Sequence, residues 1–187
     1  VFRLNTAGEN QKLVDIIQDI PLEHIKAADQ IIEYAKSMLG ERLKETIYLS
    51  LIDHIDGAID RYKNQIQFTN PLLWEIKQFY PQEFRLGQYA VELIKERLGM
   101  DMPEDEAGFI AKHFVNAQIG GEIREVYDMT YLMQAALRIV REVYGAEPDS
   151  STIEYYRFIT HLKFFARRIV GSQKYGDEDT DLLEVVR

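Results

Sequence analysis

Apolar residues recur at steps of three and four along most of the chain, which is the spacing of one face of an α-helix. The first predicted helix begins near Pro21 and ends at Gly40, two residue types that suit a helix start and a helix stop. Its apolar positions are Ile25, Ala28, Ile31, Ile32 and Ala35. The second predicted helix has the same spacing at Tyr48, Leu51, Ile52, Ile55, Ile59 and Tyr62.

Three more helices are predicted before residue 120: one over 70–79, one over 84–98, and one that starts in the acidic run 101–106. Acidic side chains favour a helix N-terminus because the helix dipole is positive there. Residues 1–5 alternate like the end of a strand, and no convincing strand follows residue 10. The fold class is therefore predicted to be all-α.

One pattern occurs twice: a tyrosine, five residues, a histidine, an aliphatic residue, and an arginine seven positions after the histidine. The first copy is centred on His54 with Arg61, and the second on His161 with Arg168, an offset of 107 (161 − 54). An internal repeat decides the architecture, and this period is the size of a domain. We therefore expect two related domains, the second with further predicted helices around 127–144 and His161, and an acidic loop at 177–181.

The composition narrows the classes of function. The net charge is −9 (22 − 31) with a pI near 5.0, so the chain is not expected to bind nucleic acid unaided, since such a surface repels phosphates. The absence of cysteine excludes disulfides and thiolate sites, and is typical of a cytoplasmic protein. No apolar run has the length of a membrane span, so no membrane insertion is expected.

Histidine is the residue type most suited to carry the function, because two of the four histidines occupy equivalent positions of the repeat. His54 is expected on the flank of its helix, and His113 shares a helix stripe with Glu106, which could hold it. His24 is expected on the surface. No serine–histidine–aspartate arrangement and no glycine-rich phosphate loop accompanies these histidines.

Three kinds of chemistry suit histidines on helices. A metal site needs three or four converging ligands, and the spacings H-x-x-x-H and H-E-x-x-H are absent. General acid–base catalysis needs a pocket that a sequence cannot reveal. A phosphoryl acceptor needs only an accessible neutral imidazole, which the ordinary histidine pKa provides.

Four segments together carry a family resemblance. They are 51–55 (Leu-Ile-Asp-His-Ile), 70–76 (Asn-Pro-Leu-Leu-Trp-Glu-Ile), 80–84 (Tyr-Pro-Gln-Glu-Phe) and 103–114 (Pro-Glu-Asp-Glu-Ala-Gly-Phe-Ile-Ala-Lys-His-Phe). In these segments the chain resembles the PTS-regulation domains (PRD) of BglG/LicT-type bacterial transcriptional antiterminators, which respond to the sugar phosphotransferase system.

The resemblance implies a five-helix PRD bundle followed by an incomplete second copy. It assigns 1–12 to a linker or remnant of an upstream RNA-binding domain, 13–120 to the first regulation domain, and 121–187 to the N-terminal part of the second. It implies phosphorylation of His54, His113 and His161, with the candidate supporting residues Asp53, Arg61, Glu106 and Arg168.

The resemblance also implies partners and a mode of action. The chain is expected to form a homodimer, to receive phosphate from HPr and a sugar-specific enzyme IIB, and to act on RNA only through a domain absent from these residues. No enzyme activity, cofactor or metal is expected. Two alternatives stay open: a helical metal-dependent phosphohydrolase using Asp53, His54 and His113, and a dimerisation module whose histidines are structural.

Overall fold

The computed structural model describes residues 19–40, 43–119, 123–145 and 148–171. Within these ranges the regular structure is helical throughout, so the all-α prediction is confirmed. The predicted strand at 1–5 and the predicted acidic loop at 177–181 lie outside the described residues. The chain divides into two compact units, Val1–Ile123 and Arg124–Arg187.

Five helices of the first unit are described, and two helices follow them. The first five are α1 (Leu22–Leu39), α2 (Thr46–Lys63), α3 (Leu73–Phe79), α4 (Pro81–Leu98) and α5 (Glu104–Ile119). The next two are α6 (Ile123–Tyr144) and α7 (Ile153–Val170). None of the described helices is long and apolar enough to cross a membrane.

The helix boundaries follow the residues that predicted them. Pro21 precedes α1, and Gly40 ends it with a φ of 68° that a side chain would strain. Gly99 ends α4 in the left-handed conformation, with a φ of 70°. Two helix starts differ from the prediction: α3 begins at Leu73 rather than at residue 70, and α4 begins at Pro81 rather than near Phe84. Proline suits the first helical position because the amide hydrogen that it lacks has no partner there.

The core of the first unit lies where α1, α2, α4 and α5 meet. Its fully buried large side chains include Ile31, Ile47, Leu51, Ile55, Ile94, Ile110 and Phe114. Helix α5 packs against α2, α3 and α4. The approach of α4 to α5 is close at Gly87, where a Cβ atom would collide with the carbonyl oxygen of Ala107. This packing fixes the first turn of α5 beside α2, and the histidine site lies between these two helices.

The second unit is described only in α6 and α7. Both helices bury an apolar stripe, and both also carry exposed large apolar side chains. Thr152 caps α7, because its hydroxyl oxygen accepts a hydrogen bond from the amide of Tyr155 at 3.2 Å.

Candidate functional site

Two of the histidines singled out by the sequence lie in contact with each other. His54 on α2 and His113 on α5 have ring centroids 4.6 Å apart, with an angle of 42° between the ring planes. Both residues are half-buried at the surface of the first unit. The structure thus joins two candidates that the sequence could nominate only separately.

Glu106 connects this histidine pair to Arg61. Its Oε2 lies 3.2 Å from Nε2 of His54, and its Oε1 accepts a hydrogen bond from Nη2 of Arg61 at 3.0 Å. The Glu106 side chain is only 7% exposed. Burial raises the pKa of Glu106, but the hydrogen bonds and charges of His54 and Arg61 outweigh it and hold this pKa below its usual value. Glu106 is therefore a buried carboxylate held by two partners.

The expectation that Glu106 could hold His113 is wrong, since its carboxylate reaches His54 instead. Glu106 and His113 are seven positions apart on α5, which is about 10 Å along the helix axis, or two turns. A residue on the neighbouring helix is closer than one two turns away on the same helix.

His113 is held neutral by its surroundings. Burial, followed by the nearby charges of His54 and Lys112, lowers the pKa of His113 to about 3. Its Nδ1 is buried and has no hydrogen-bond partner among the described residues. A neutral imidazole keeps a lone pair on one nitrogen, so His113 retains nucleophilic character throughout the physiological pH range.

Lys112 is a charged neighbour that the sequence analysis missed. It is buried, and its Nζ lies 4.4 Å from the centroid of the Phe109 ring. Burial lowers the pKa of Lys112 to about 7, although the charge of Glu106 acts in the opposite direction. This burial could not be predicted from the sequence, because a lysine on a helix normally extends its amine into solvent.

An aromatic contact and a cavity beside Arg61 were also not predicted from the sequence. The Arg61 guanidinium lies 5.2 Å from the centroid of Phe68, whose side chain is 54% exposed. An open cavity of about 660 Å³ adjoins this contact, and Tyr62, Met102 and Glu106 contribute to its lining. This cation–π contact restrains the guanidinium that binds Glu106.

Asp53 and His24, which were considered from the sequence, lie away from the pair of His54 and His113. Asp53 is exposed and makes no hydrogen bond or ion pair among the described residues. His24 was expected on the surface, and this is wrong: it is 4% exposed, and its Nδ1 lies 2.6 Å from Oδ1 of Asp56. A signal was available: matching Gly40 to Gly145 aligns the first helix with the one at 127–144 at an offset of 105 (145 − 40), which places His24 opposite the apolar Met129, itself buried on α6.

In the second unit, His161 and Arg168 are both exposed on α7. Across the described ranges, no group of three or more histidine, cysteine, aspartate or glutamate side chains is arranged to hold a metal ion.

Comparison with known proteins identifies the family. The PRD domain model matches residues 29–117. The chain is 41% identical over 187 residues to the transcription antiterminator LicT of Bacillus subtilis (strain 168), covering 100% of this chain and 68% of that protein. It is 42% identical to the beta-glucoside operon antiterminator of Dickeya chrysanthemi, covering 100% of this chain and 66% of that protein.

A solved structure supports the same assignment. The crystal structure of GlcT CAT-PRDI is similar with a TM-score of 0.59 and 28% sequence identity, over 63% of this chain and 70% of that one. The chain spans about two thirds of the length of the two antiterminators above. On these matches, the chain belongs to the BglG/LicT-type family of transcriptional antiterminators with PRD domains.

Proposed function

We propose that this PRD-type regulatory region is controlled by reversible phosphorylation of His54 and His113 by the sugar phosphotransferase system. The observation that carries the proposal is the contact between the two imidazoles, 4.6 Å apart, next to the Glu106–Arg61 ion pair. An acceptor for a phosphoryl group needs a neutral imidazole, and the lowered pKa of His113 meets this requirement.

The same cluster supplies a way to sense the phosphate. Phosphorylation of a side chain adds about 1.5 to 2 negative charges. A phosphate on His54 adds a second anionic group to the site and competes with the Glu106 carboxylate for the Arg61 guanidinium, which now binds that carboxylate. The Arg61–Glu106 bond is therefore the contact that phosphorylation is expected to break first, moving α5 relative to α2.

In this proposal, HPr and a sugar-specific enzyme IIB deliver the phosphate, and the response is a change in homodimerisation. The dimer in turn controls RNA binding by a domain outside this chain, which agrees with the acidic net charge of −9. Inverting a dimer equilibrium from 1:99 to 99:1 takes about 5.5 kcal/mol. A single phosphate on a half-exposed side chain provides less, so several sites act together.

His161 is the corresponding acceptor of the second regulation domain in this proposal, with Arg168 as its cation. Its exposure on α7 supports access by a carrier protein. In the same proposal, residues 13–120 form the first regulation domain, 121–187 form the N-terminal part of the second, and the exposed Asp53 lies at the carrier contact. Because the histidines accept a phosphoryl group without turning over a substrate, the chain is a regulator rather than an enzyme.

An operon for β-glucoside use is the first target to test, since a relative at 42% identity is a β-glucoside operon antiterminator.

The test is reconstitution of the chain with enzyme I, HPr and phosphoenolpyruvate, and separately with candidate enzyme IIB proteins. We expect acid-labile, alkali-stable label on His54, His113 and His161, mapped by mass spectrometry at neutral pH. His24 is an internal control, because a ring 4% exposed and bound to Asp56 should stay unlabelled. The dissociation constant of the dimer, measured with and without label, should change.

Three outcomes separate the proposal from its rivals. The absence of histidine label with HPr and every enzyme IIB contradicts the proposal. Stoichiometric bound metal in the purified protein favours the phosphohydrolase. If His54→Ala and His113→Ala alter stability but leave the dimer response to the carriers intact, the histidines are structural.

A further inference from the structure

The hydrogen bond between His54 and Glu106 determines which nitrogen of the imidazole carries the proton. Oε2 of Glu106 belongs to a carboxylate, which can only accept a hydrogen bond. Nε2 of His54, 3.2 Å away, must therefore be the donor. A neutral imidazole has a single N–H, so the lone pair of His54 is on Nδ1.

Arg61 orients the Glu106 carboxylate by binding its other oxygen. Its Nη2 donates to Oε1 of Glu106 at 3.0 Å, which orients the carboxylate and leaves Oε2 for His54. Nδ1 of His54 has no hydrogen-bond partner among the described residues. The nitrogen with the lone pair is thus also the unoccupied one, and Nε2 is blocked by the carboxylate.

The geometry points to Glu106 as a positioning residue that directs phosphorylation of His54 to Nδ1. This inference rests on the proposed function of the site. In the transfer, the Nδ1 lone pair forms a bond to phosphorus, the P–N bond of a phosphoramidate-type donor breaks, and its electron pair leaves with the donor nitrogen. The proton on Nε2 stays in place, so the ring becomes a phosphoimidazolium whose positive charge faces Glu106.

On His113, in the same site, we expect the other phosphohistidine isomer, with the phosphate on Nε2. Its Nδ1 is buried, so a phosphorus atom cannot approach it, and only Nε2 remains for transfer. Two imidazoles in ring contact are therefore expected to carry different phosphohistidine isomers: the Nδ1 isomer on His54 and the Nε2 isomer on His113.

The first test does not involve phosphate. In the full chain labelled with 15N-histidine, long-range proton–nitrogen correlation spectra at about pH 8.5, above the ordinary histidine range, report the tautomer directly. We expect His54 to be protonated on Nε2. In Glu106→Gln, Arg61 still donates to the amide oxygen, so the amide NH₂ faces His54 and Nε2 must accept. The tautomer should therefore reverse to protonation on Nδ1.

The second test measures the isomer formed. Potassium phosphoramidate is the donor, and ammonia is the leaving group. On His54 of the unsubstituted chain we expect the Nδ1 isomer to exceed the Nε2 isomer by about ten-fold or more, the preference that one charge-assisted hydrogen bond supplies. Glu106→Gln should reduce formation of the Nδ1 isomer by a similar factor. Glu106→Ala should give the isomer ratio of a free peptide spanning residues 50–57.

Asp60→Asn is the matched control, because it removes an exposed carboxylate of α2 that is not part of this cluster. It should change neither the tautomer nor the isomer ratio. The inference is overturned if His54 carries its proton on Nδ1 in the unsubstituted chain, or if its phosphate is found mainly on Nε2. A chain with the expected tautomer that phosphoramidate labels but no carrier protein does would instead contradict the proposed function.

Discussion

The imidazole rings of His54 and His113 lie in contact, with centroids 4.6 Å apart, although the two residues are 59 positions apart in the chain (113 − 54). Helix α2 supplies one ring and helix α5 the other. Such proximity couples any charge placed on one ring to the other. The pair is therefore expected to respond to phosphorylation as one unit.

Phosphate on one ring of the pair should suppress phosphate on the other. Two unit negative charges about 6 Å apart repel by about 3 kcal/mol at an effective dielectric constant near 20, and phosphates carry more than one charge each. We expect molecules with phosphate on both His54 and His113 to be at least about ten-fold rarer than random combination predicts. Intact mass and peptide mapping at partial labelling give the measurement, and a random distribution would show that the rings act independently.

His113 should make the first unit sensitive to mild acid. Its pKa is about 3 in the folded chain and about 6.5 when unfolded, so between these values the unfolded chain binds a proton that the folded chain does not. Stability is therefore complete above pH 6.5 and falls with pH, by about 1.4 kcal/mol per unit at most.

His113→Gln removes this proton uptake. Relative to the variant, the unsubstituted chain should lose up to about 2 kcal/mol between pH 7 and pH 5. Urea unfolding followed through Trp74, the single tryptophan, reports the first unit. Identical pH dependence in the two proteins would mean that His113 is protonated as easily in the folded chain as in the unfolded one.

Arg61→Met should destabilise the first unit at neutral pH. The substitution removes one of the two partners of Glu106, a carboxylate whose side chain is 7% exposed. Loss of one member of a buried ion pair costs about 3 to 5 kcal/mol, and we expect the lower end because the Arg61 side chain is 23% exposed.

The loss from Arg61→Met should also depend on pH. The pKa of Glu106 is below its usual value in the folded chain, so the stability from its ionised form is present above about pH 4.5 and is lost as pH falls through the folded value. The difference between the two proteins should therefore shrink in acid. The double substitution Arg61→Met with Glu106→Gln should regain much of the stability at pH 7, since it leaves no buried carboxylate without its arginine partner. A double variant as unstable as the single one would argue that Arg61 acts through packing.

Gly87→Ala, a substitution on α4 outside the histidine site, should destabilise the packing of α5, the helix that carries Glu106 and His113. A Cβ atom at Gly87 would collide with the backbone of Ala107, so α4 and α5 would have to separate, at a cost of about 1 to 3 kcal/mol. Gly57→Ala is the matched control on α2, because its Cβ atom would make only ordinary contact, 3.4 Å from Nη1 of Arg61. It should stabilise the unit by about 0.5 to 1 kcal/mol. Equal effects of the two substitutions on urea unfolding would contradict the close approach.

The helices and their ends could be predicted from the sequence because both depend on short-range effects. Gly40 and Gly99 end α1 and α4 through their own backbone conformations, and the apolar spacing of α2 is complete within that segment. The two misplaced helix starts, at Leu73 and Pro81, are each about three residues from the predicted positions, and the start at Pro81 follows a local rule that the sequence already contained. The repeat likewise nominated His54 and Arg61 without any tertiary information.

The partners of these residues could not be predicted in this way. Glu106 binds His54 rather than His113, and His24 is buried against Asp56, because side chains from helices distant in sequence meet only after packing. The burial that lowers the pKa of His113 and of Lys112 is also a property of the packed core alone. The sequence by itself determined which residues are helical and which histidines are candidates. Only the tertiary structure decided which carboxylate each imidazole faces, because hydrogen bonds act over about 3 Å and that distance is set by how α2 packs on α5.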